Sequence, residues 1–363
     1  MSAVLVVNAG STSLKLAAVR DDDASEPVAS FEAAPKELVA VGHRVVHGGD
    51  RFREPVLIDD AVERELAALA ELAPLHNAPA IAAIDEARRA LPALPHIAVF
   101  DTAFHATIPQ EAATYAVPRE FRERSRIRRY GFHGLSVQWA AERVPVSRLV
   151  VCHLGGGCSI TAVRDGRSVD TTMGFTPLEG VPMATRSGSV DPGALLHLLR
   201  AGALTVERLE QALEHESGLL GLSGISGNVD ELEQDADPAA RLALEVYAYR
   251  IAGAVAAMAA ALGGLDALVF TAGVGEGSAR VRADVCARLR FLGVELDAKA
   301  NASANPDADI ASAGSSVQIV VLRAREDIVI ARAARSSMGA MENRPVDEVA
   351  ENPVARIGEN ADD

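Results

Sequence analysis

Apolar and polar positions follow two periods along the chain. Val4–Val7 is an apolar run, followed by Asn8-Ala9-Gly10-Ser11-Thr12-Ser13 and then by the mostly apolar Leu14–Val19. Leu149–Cys152 repeats the pattern, followed by His153-Leu154-Gly155-Gly156-Gly157-Cys158-Ser159 and then Ile160–Val163. Each predicts a strand, a tight Gly/Ser turn and a second strand. A third segment, Ala267–Glu276, predicts a strand and a Gly-rich turn before a helix from about Ser278 to Leu289. Ile97–Phe100 reads as a short buried strand ending at Asp101. Helical spacing occupies Asp60–Leu72, with Asp59 or Asp60 as N-cap, and Pro79–Ala90, Gly193–Leu199, Val206–Leu213 and Ala239–Leu262. Beyond about Ser336 the periodicity stops and the chain turns polar and acidic, which predicts a disordered tail over 341–363.

Two similar hairpins half a chain apart predict a duplicated α/β fold with a central cleft, where a ligand would bind. The 363 residues leave room for two domains. Aromatic residues make up only 4%, so the cores must be built from Ala, Val, Leu and Ile. A net charge of −15 without a basic stripe argues against nucleic acid as a partner. One basic cluster, Arg119 to Arg129, is interrupted by Glu120 and Glu123; it reads first as solvated surface and second as the lining of an anionic site. The apolar run Ile251–Leu262 is too short to span a bilayer and predicts a helix buried in a domain or subunit interface. The first twenty residues open on an apolar strand pattern with basic residues after it, so no secretory signal and no membrane partner are expected. Cys152, Cys158 and Cys286 form no C-x-x-C pair, which predicts reduced thiols and a cytoplasmic protein.

A Gly-rich turn after a strand lets backbone N–H groups approach a phosphate unobstructed. Any one such turn reads better as a tight bend, but three in one chain, carrying Ser, Thr, Asn or Glu, point to nucleotide binding. None matches G-x-x-x-x-G-K-[ST] or opens a βαβ unit as G-x-G-x-x-G. The turns therefore indicate an actin-like or sugar-kinase-like cleft rather than a P-loop or dinucleotide site.

Longer strings narrow this further. V-L-V-V-N-A-G-S-T-S-L-K (Val4–Lys15), G-H-R-V-V-H-G-G (Gly42–Gly49), L-A-P-L-H-N (Leu72–Asn77), V-F-D-T-A-F-H (Val99–His105), R-R-Y-G-F-H-G (Arg128–Gly134), M-G-F-T-P-L-E-G (Met173–Gly180) and T-R-S-G-S-V-D-P (Thr185–Pro192) run in one order along the chain. Together they resemble the acetate kinase family. The resemblance implies a ribonuclease-H-like duplicated fold of the actin, Hsp70 and sugar-kinase type. Its first domain would hold residues 1–104 plus 327–340, and its second 105–326. It also implies a homodimer, Mg²⁺ (with Mn²⁺ as an alternative), ATP as co-substrate, and acetate phosphorylated to acetyl phosphate.

A carboxylate substrate has a pKa of roughly 4–5, so it is already ionised at pH 7 and needs no general base. Catalysis then consists of bringing two anions together and neutralising the transferring phosphoryl group. The resemblance assigns Arg44 and Arg186 to that clamp, Asp101 to orienting metal or acyl substrate, and His133 to donating to a phosphoryl oxygen. Val46, Leu75, Phe132 and Pro177 match the alkyl pocket. Asn8 and Glu326 match metal-linked positions, and Ser11 and Ser13 phosphate-positioning ones. Nucleotide contacts fall to Lys15, His153, Gly155, Gly156, Gly157, Asn228, Val229, Asp230, Gly273, Gly275 and Gly277. Departures cluster on the nucleotide side. Gly156 and Gly277 each stand where the family has Asn, Asn228-Val229-Asp230 lacks the Arg of Asp-x-Arg, and Arg325 replaces an Asn before the glutamate. The segment Arg20–Val41 is also much shorter than its family equivalent. Propionate or butyrate as acceptor, another donor, and a non-catalytic nucleotide- or acetyl-phosphate-binding homologue are the alternatives.

Overall fold

The computed structural model describes residues 2–9, 14–69, 74–202 and 204–342. Its strands form two six-stranded sheets of the same design. In the first, β1 (Ala3–Ala9), β2 (Leu14–Arg20), β3 (Ser25–Val28), β4 (Leu38–Val45), β5 (Val56–Leu57) and β6 (His96–Phe100) lie in the order β3-β2-β1-β4-β6-β5. In the second, β7 (Arg148–Leu154), β8 (Cys158–Arg164), β9 (Arg167–Thr171), β10 (Ala267–Thr271), β11 (Ala308–Asp309) and β12 (Gln318–Val321) lie in the order β9-β8-β7-β10-β12-β11. Each sheet is an antiparallel meander joined to two further parallel strands, with an antiparallel edge strand beyond them. The two hairpins read from the sequence are β1–β2 and β7–β8, so the duplication extends to strand order and direction.

Wholly apolar strands must be covered on both faces. Between the sheets run two helices, Gly134–Arg143 and Glu326–Glu342, and one core joins Val4, Val6 and Val99 of the first sheet to Leu149, Val151 and Val269 of the second through Leu135, Val137, Ile328 and Ile330. Gly42 on β4 allows this approach, since a Cβ there would come 2.7 Å from Ile330 Cγ2. The C-terminal helix runs to Glu342, past the loss of periodicity at Ser336 and two residues into the tail expected from 341. Its buried face, Ile328 to Ala334, anchors it on the first sheet, and the Ala-, Met- and Glu-containing continuation keeps helix-forming residues. The tail over 343–363 lies outside the described residues.

The outer face of the second sheet carries the helix Pro238–Leu262. It is long and apolar enough to cross a membrane, but half of its most apolar window is buried, with Tyr247, Ile251 and Val255 in the core. Cys152, Cys158 and Cys286 are free and buried in that core. Burial pushes the Cys158 thiol up to about 11 and the Cys286 thiol up to about 12.

Candidate active site

The sheets place chemistry at the C-terminal ends of their parallel strands, the usual crevice of an open α/β sheet. In the first sheet these ends carry Asn8 on β1, Arg44 on β4 and Asp101 just past β6. Arg44 grips Asp101 as a fork, with Nε to Oδ1 at 2.9 Å and Nη2 to Oδ2 at 2.5 Å. Its Nη1 donates to Asn8 Oδ1 at 3.2 Å, and its Nε lies 3.9 Å from Glu326 Oε2. Asp101 is 1% exposed, and Arg44 and Glu326 about one-sixth. Burial opposes the Arg44 charge, but Asp101 and then Glu326 outweigh it and hold the guanidinium protonated. Burial raises the Glu326 pKa, Arg44 counters it, and the nearby Asp101 charge raises it further.

In the second sheet His153 lies next to the last residue of β7, and His133 approaches it from the start of the helix Gly134–Arg143. The two rings stack 4.0 Å apart with an 18° tilt. His133 adopts φ +59°, a left-handed conformation uncommon for a side chain with a Cβ. Its Nδ1 lies 3.1 Å from Ser159 Oγ, and His153 Nδ1 lies 2.8 Å from Ser136 Oγ. A Cβ on Gly157 would sit 3.2 Å from His133 Nε2 and 3.6 Å from Arg186 Nη1, so the second Gly turn, the histidine and the second arginine converge. Arg186 pairs with Glu214 at 3.1 Å and turns Nη1 to the Pro177 carbonyl at 3.5 Å. Burial is the largest cause of the His133 pKa falling well below its usual value, and His153, Arg44 and Arg186 push the same way. Both arginines thus act electrostatically on one neutral imidazole.

Gly134 fixes the join between the halves. Its N–H donates to the Asp101 carbonyl at 3.0 Å, and a Cβ there would fall well inside contact distance of that oxygen. Gly134→Ala is expected to displace Asp101 and His133 together and lower kcat by roughly a hundredfold, since a shift of about 1 Å is enough. Steady-state kinetics check this, and unchanged turnover would show that the join tolerates movement.

Neutral histidines also set a pH dependence. His47, His105 and His153 are each pushed down to about 4, first by burial. Unfolded imidazoles bind protons near pH 6.5 that the fold refuses, so stability is complete above that pH and is lost as pH falls toward 4. At pH 5 each contributes a loss of roughly 2 kcal/mol. Urea unfolding at pH 7, 6 and 5 is expected to show a steadily falling midpoint; a flat profile would mean the folded histidines titrate normally.

The remaining expected residues divide. Val46 is half-buried against the second core, Phe132 is fully buried with its ring edge-on to His47 at 5.5 Å, and Pro177 is buried beside Arg186. The Leu75 side chain, Ser11 and Ser13 lie outside the described residues. Lys15 is exposed on β2, paired across the ladder with Asn8. Gly156, Gly273 and Gly277 border open space, whereas Gly155 approaches Ala272. Two of the expected nucleotide residues are buried. Gly275 is buried, where a Cβ would press on the Phe270 backbone at 3.3 Å, and the Val229 side chain is 3% exposed within the second core. Val229 points inward because its helix, Val229–Gln234, buries Val229 and Leu232 together. Asn228 caps that helix by accepting from Asp230 N at 2.9 Å.

The expected turn after β10 is a short helix, Ala272–Gly277. Glu276 Oε1 accepts from Ala272 N at 3.1 Å and from Ala324 N at 2.9 Å, tying this helix to the segment that leads to Glu326. Arg282, 1% exposed, donates to the Gly275 and Glu276 carbonyls at 3.0 and 2.8 Å and to Asn301 Oδ1 at 2.7 Å. The sequence offered one signal for this pair: Glu276 falls in the third Gly-rich string, whereas Arg282 reads as an ordinary surface residue of a helix.

The profile of the acetokinase family matches residues 28–332. This chain belongs to that family. An acetate kinase of Gloeobacter violaceus is 49% identical over 312 residues, 83% of this chain and 77% of the relative. Among solved structures, a propionate kinase from Francisella tularensis superposes with a TM-score of 0.86 at 35% identity, covering 93% of this chain and all of its own. The acetate kinase of Porphyromonas gingivalis gives 0.83 at 32% identity, with coverage of 93% and 100%. The acetokinase fold is thus the duplicated α/β architecture seen in the two sheets. Within this acetokinase site the donor set suits a hard divalent cation. Two carboxylates, Asp101 and Glu326, face one guanidinium with the Asn8 amide oxygen beside them, leaving one negative charge in excess in a buried place.

Proposed function

We infer that this chain is a carboxylate kinase that moves the γ-phosphoryl group of ATP reversibly to acetate, giving acetyl phosphate and ADP. The observation that carries the reading is the meeting of Arg44, Asp101, Asn8 and Glu326 at the strand ends, with His133 within the fields of both Arg44 and Arg186. Two guanidiniums offset the repulsion between an acetate carboxylate and a phosphate chain. Their planar forks suit both groups bidentately. Asp101 holds Arg44 in one rotamer and removes no proton. The neutral His133, with Nε2 turned toward Gly157, donates to an equatorial oxygen as charge builds there. Val46, Phe132 and Pro177 bound the methyl group; a methylene is worth about 1 kcal/mol in such a pocket, so propionate is the nearest competing acceptor. Asn8, Asp101 and Glu326 would hold Mg²⁺, which supplies charge neutralisation on the phosphate oxygens.

Gly156, Gly273 and Gly277 give the nucleotide backbone contacts without side chains, and the absent Asn at two of them weakens the hold on the base. We assign residues 1–104 with 327–340 to one closing domain and 105–326 to the other. Exposed Leu196, Leu198 and Val206, on helices that bury none of their own residues, support a homodimer. Free thiols support a cytoplasmic placement. The test is a coupled assay with acetate, propionate or butyrate against ATP, GTP and pyrophosphate, with and without Mg²⁺. Acetate with ATP is expected to give the highest kcat/KM, and no acyl phosphate with any donor would leave only a binding role.

A further inference from the structure

The basic run Arg119–Arg129, which the kinase reading leaves unused, forms part of the wall of a separate cavity of about 600 Å³. Arg53, Arg122, Arg126 and Arg128 line it with two carboxylates, Asp50 and Glu123. In a chain of net charge −15 this is a local inversion of sign. Both carboxylates are already engaged. Glu123 pairs with Arg119 at 2.5 Å, and Asp50 lies 3.6 Å from Arg128 and 4.0 Å from Arg53 and accepts from the Tyr130 hydroxyl at 3.3 Å. Arg122 and Arg126 make no salt bridge among the described residues. The Nε of Arg122 and that of Arg128 are buried and meet no acceptor in the protein. Neither Nε is reached by water, so an anion in the cavity would be met by the terminal nitrogens of these guanidiniums.

We propose that this cavity binds a small phosphate-bearing anion at a site separate from the kinase centre. None of its lining residues belongs to the set around Arg44, Asp101, His133 and Arg186. The volume lies within the ordinary range for small-molecule sites. Several guanidiniums around one space favour a tetrahedral dianion over a monocarboxylate, because each fork takes two oxygens. A polyanion such as nucleic acid is disfavoured by the chain's own negative field, which acts over its whole length. A narrow crevice continues from the cavity past Asp50, Arg128 and Tyr130 to Thr102, the neighbour of Asp101. The bound anion would take Arg128 from Asp50 at its mouth.

Isothermal titration of the full chain with inorganic phosphate, and separately with glycerol phosphate, tests the proposal. The Arg186→Ala background weakens the kinase centre's own hold on phosphate and leaves the Arg44–Asp101 pair intact. In that background binding is expected to persist. Adding Arg122→Gln with Arg126→Asn is expected to weaken it by about tenfold or more. Asn suits the φ of +49° at position 126, and Arg122→Lys, which keeps the charge, should lose less and guards against a folding defect. Tighter inorganic phosphate would identify a free-phosphate site and tighter glycerol phosphate a site for a monoester; either supports the cavity. Undiminished affinity with both arginines replaced overturns it, as does no binding up to about 10 mM in the parent. Both failures are independent of whether acetate is phosphorylated.

Discussion

Arg44→Ala is expected to lower kcat by about a hundred- to a thousand-fold, equivalent to ~3–4 kcal/mol of lost charge stabilisation. It is also expected to destabilise the fold. Asp101 is almost wholly buried and both its oxygens are held by the Arg44 fork, with Glu326 nearby. Removing the guanidinium strands two carboxylates together, and a buried charge left without its partner costs about 3–5 kcal/mol. One of the two would then take up a proton, so the variant should lose less stability at pH 5 than at pH 8. Denaturation at both pH values together with steady-state kinetics tests this. A few-fold drop in kcat with unchanged stability would mean that the fork neither clamps substrate nor holds Asp101.

Arg186→Ala is expected to lose turnover on the same scale, about a hundredfold or more, while destabilising the fold less than Arg44→Ala does. Arg186 and its partner Glu214 keep 20% and 14% of their side-chain surface in water, and the remaining contacts of Arg186 are long ones to the Pro177 carbonyl and the Met183 sulfur. Glu214, mostly withdrawn from water, is left with an unpaired charge, so the loss is about 1–3 kcal/mol, short of the Arg44 fork, where two carboxylates are stranded together. The two variants therefore separate on stability while agreeing on rate. If Arg186→Ala unfolded as readily as Arg44→Ala, its role would be structural. If it kept its kcat and lost only KM, the contact would serve ground-state binding rather than the transition state.

The duplication was legible because its evidence is local. Apolar strands broken by glycine-rich turns declare themselves within a dozen residues, and β1–β2 and β7–β8 formed where the pattern put them. The meeting of Asn8, Arg44, Asp101 and Glu326, more than three hundred residues apart, was legible only through strings resembling one family. What failed did so where tertiary partners overrode composition. Ala272–Gly277 has three glycines in six residues and reads as a turn, yet Glu276 bonds its start and the buried Arg282 holds its last carbonyls. The Val229 side chain faces the core because the inward face of its helix decides its position, which its place in a string does not show. The helix beyond Ser336 lacks an apolar period of its own and continues from a segment anchored on the first sheet.

The three sealed sulfurs have a practical consequence. A thiol that is protonated and out of reach of solvent does not react with a disulfide reagent, so labelling must wait for the surrounding layer to part. Cys152 on β7, Cys158 on β8 and Cys286 on the helix Ala279–Arg288 sample the same half of the molecule from three elements. Colour release from an aromatic disulfide would then serve as a clock for opening of that half, without any introduced probe.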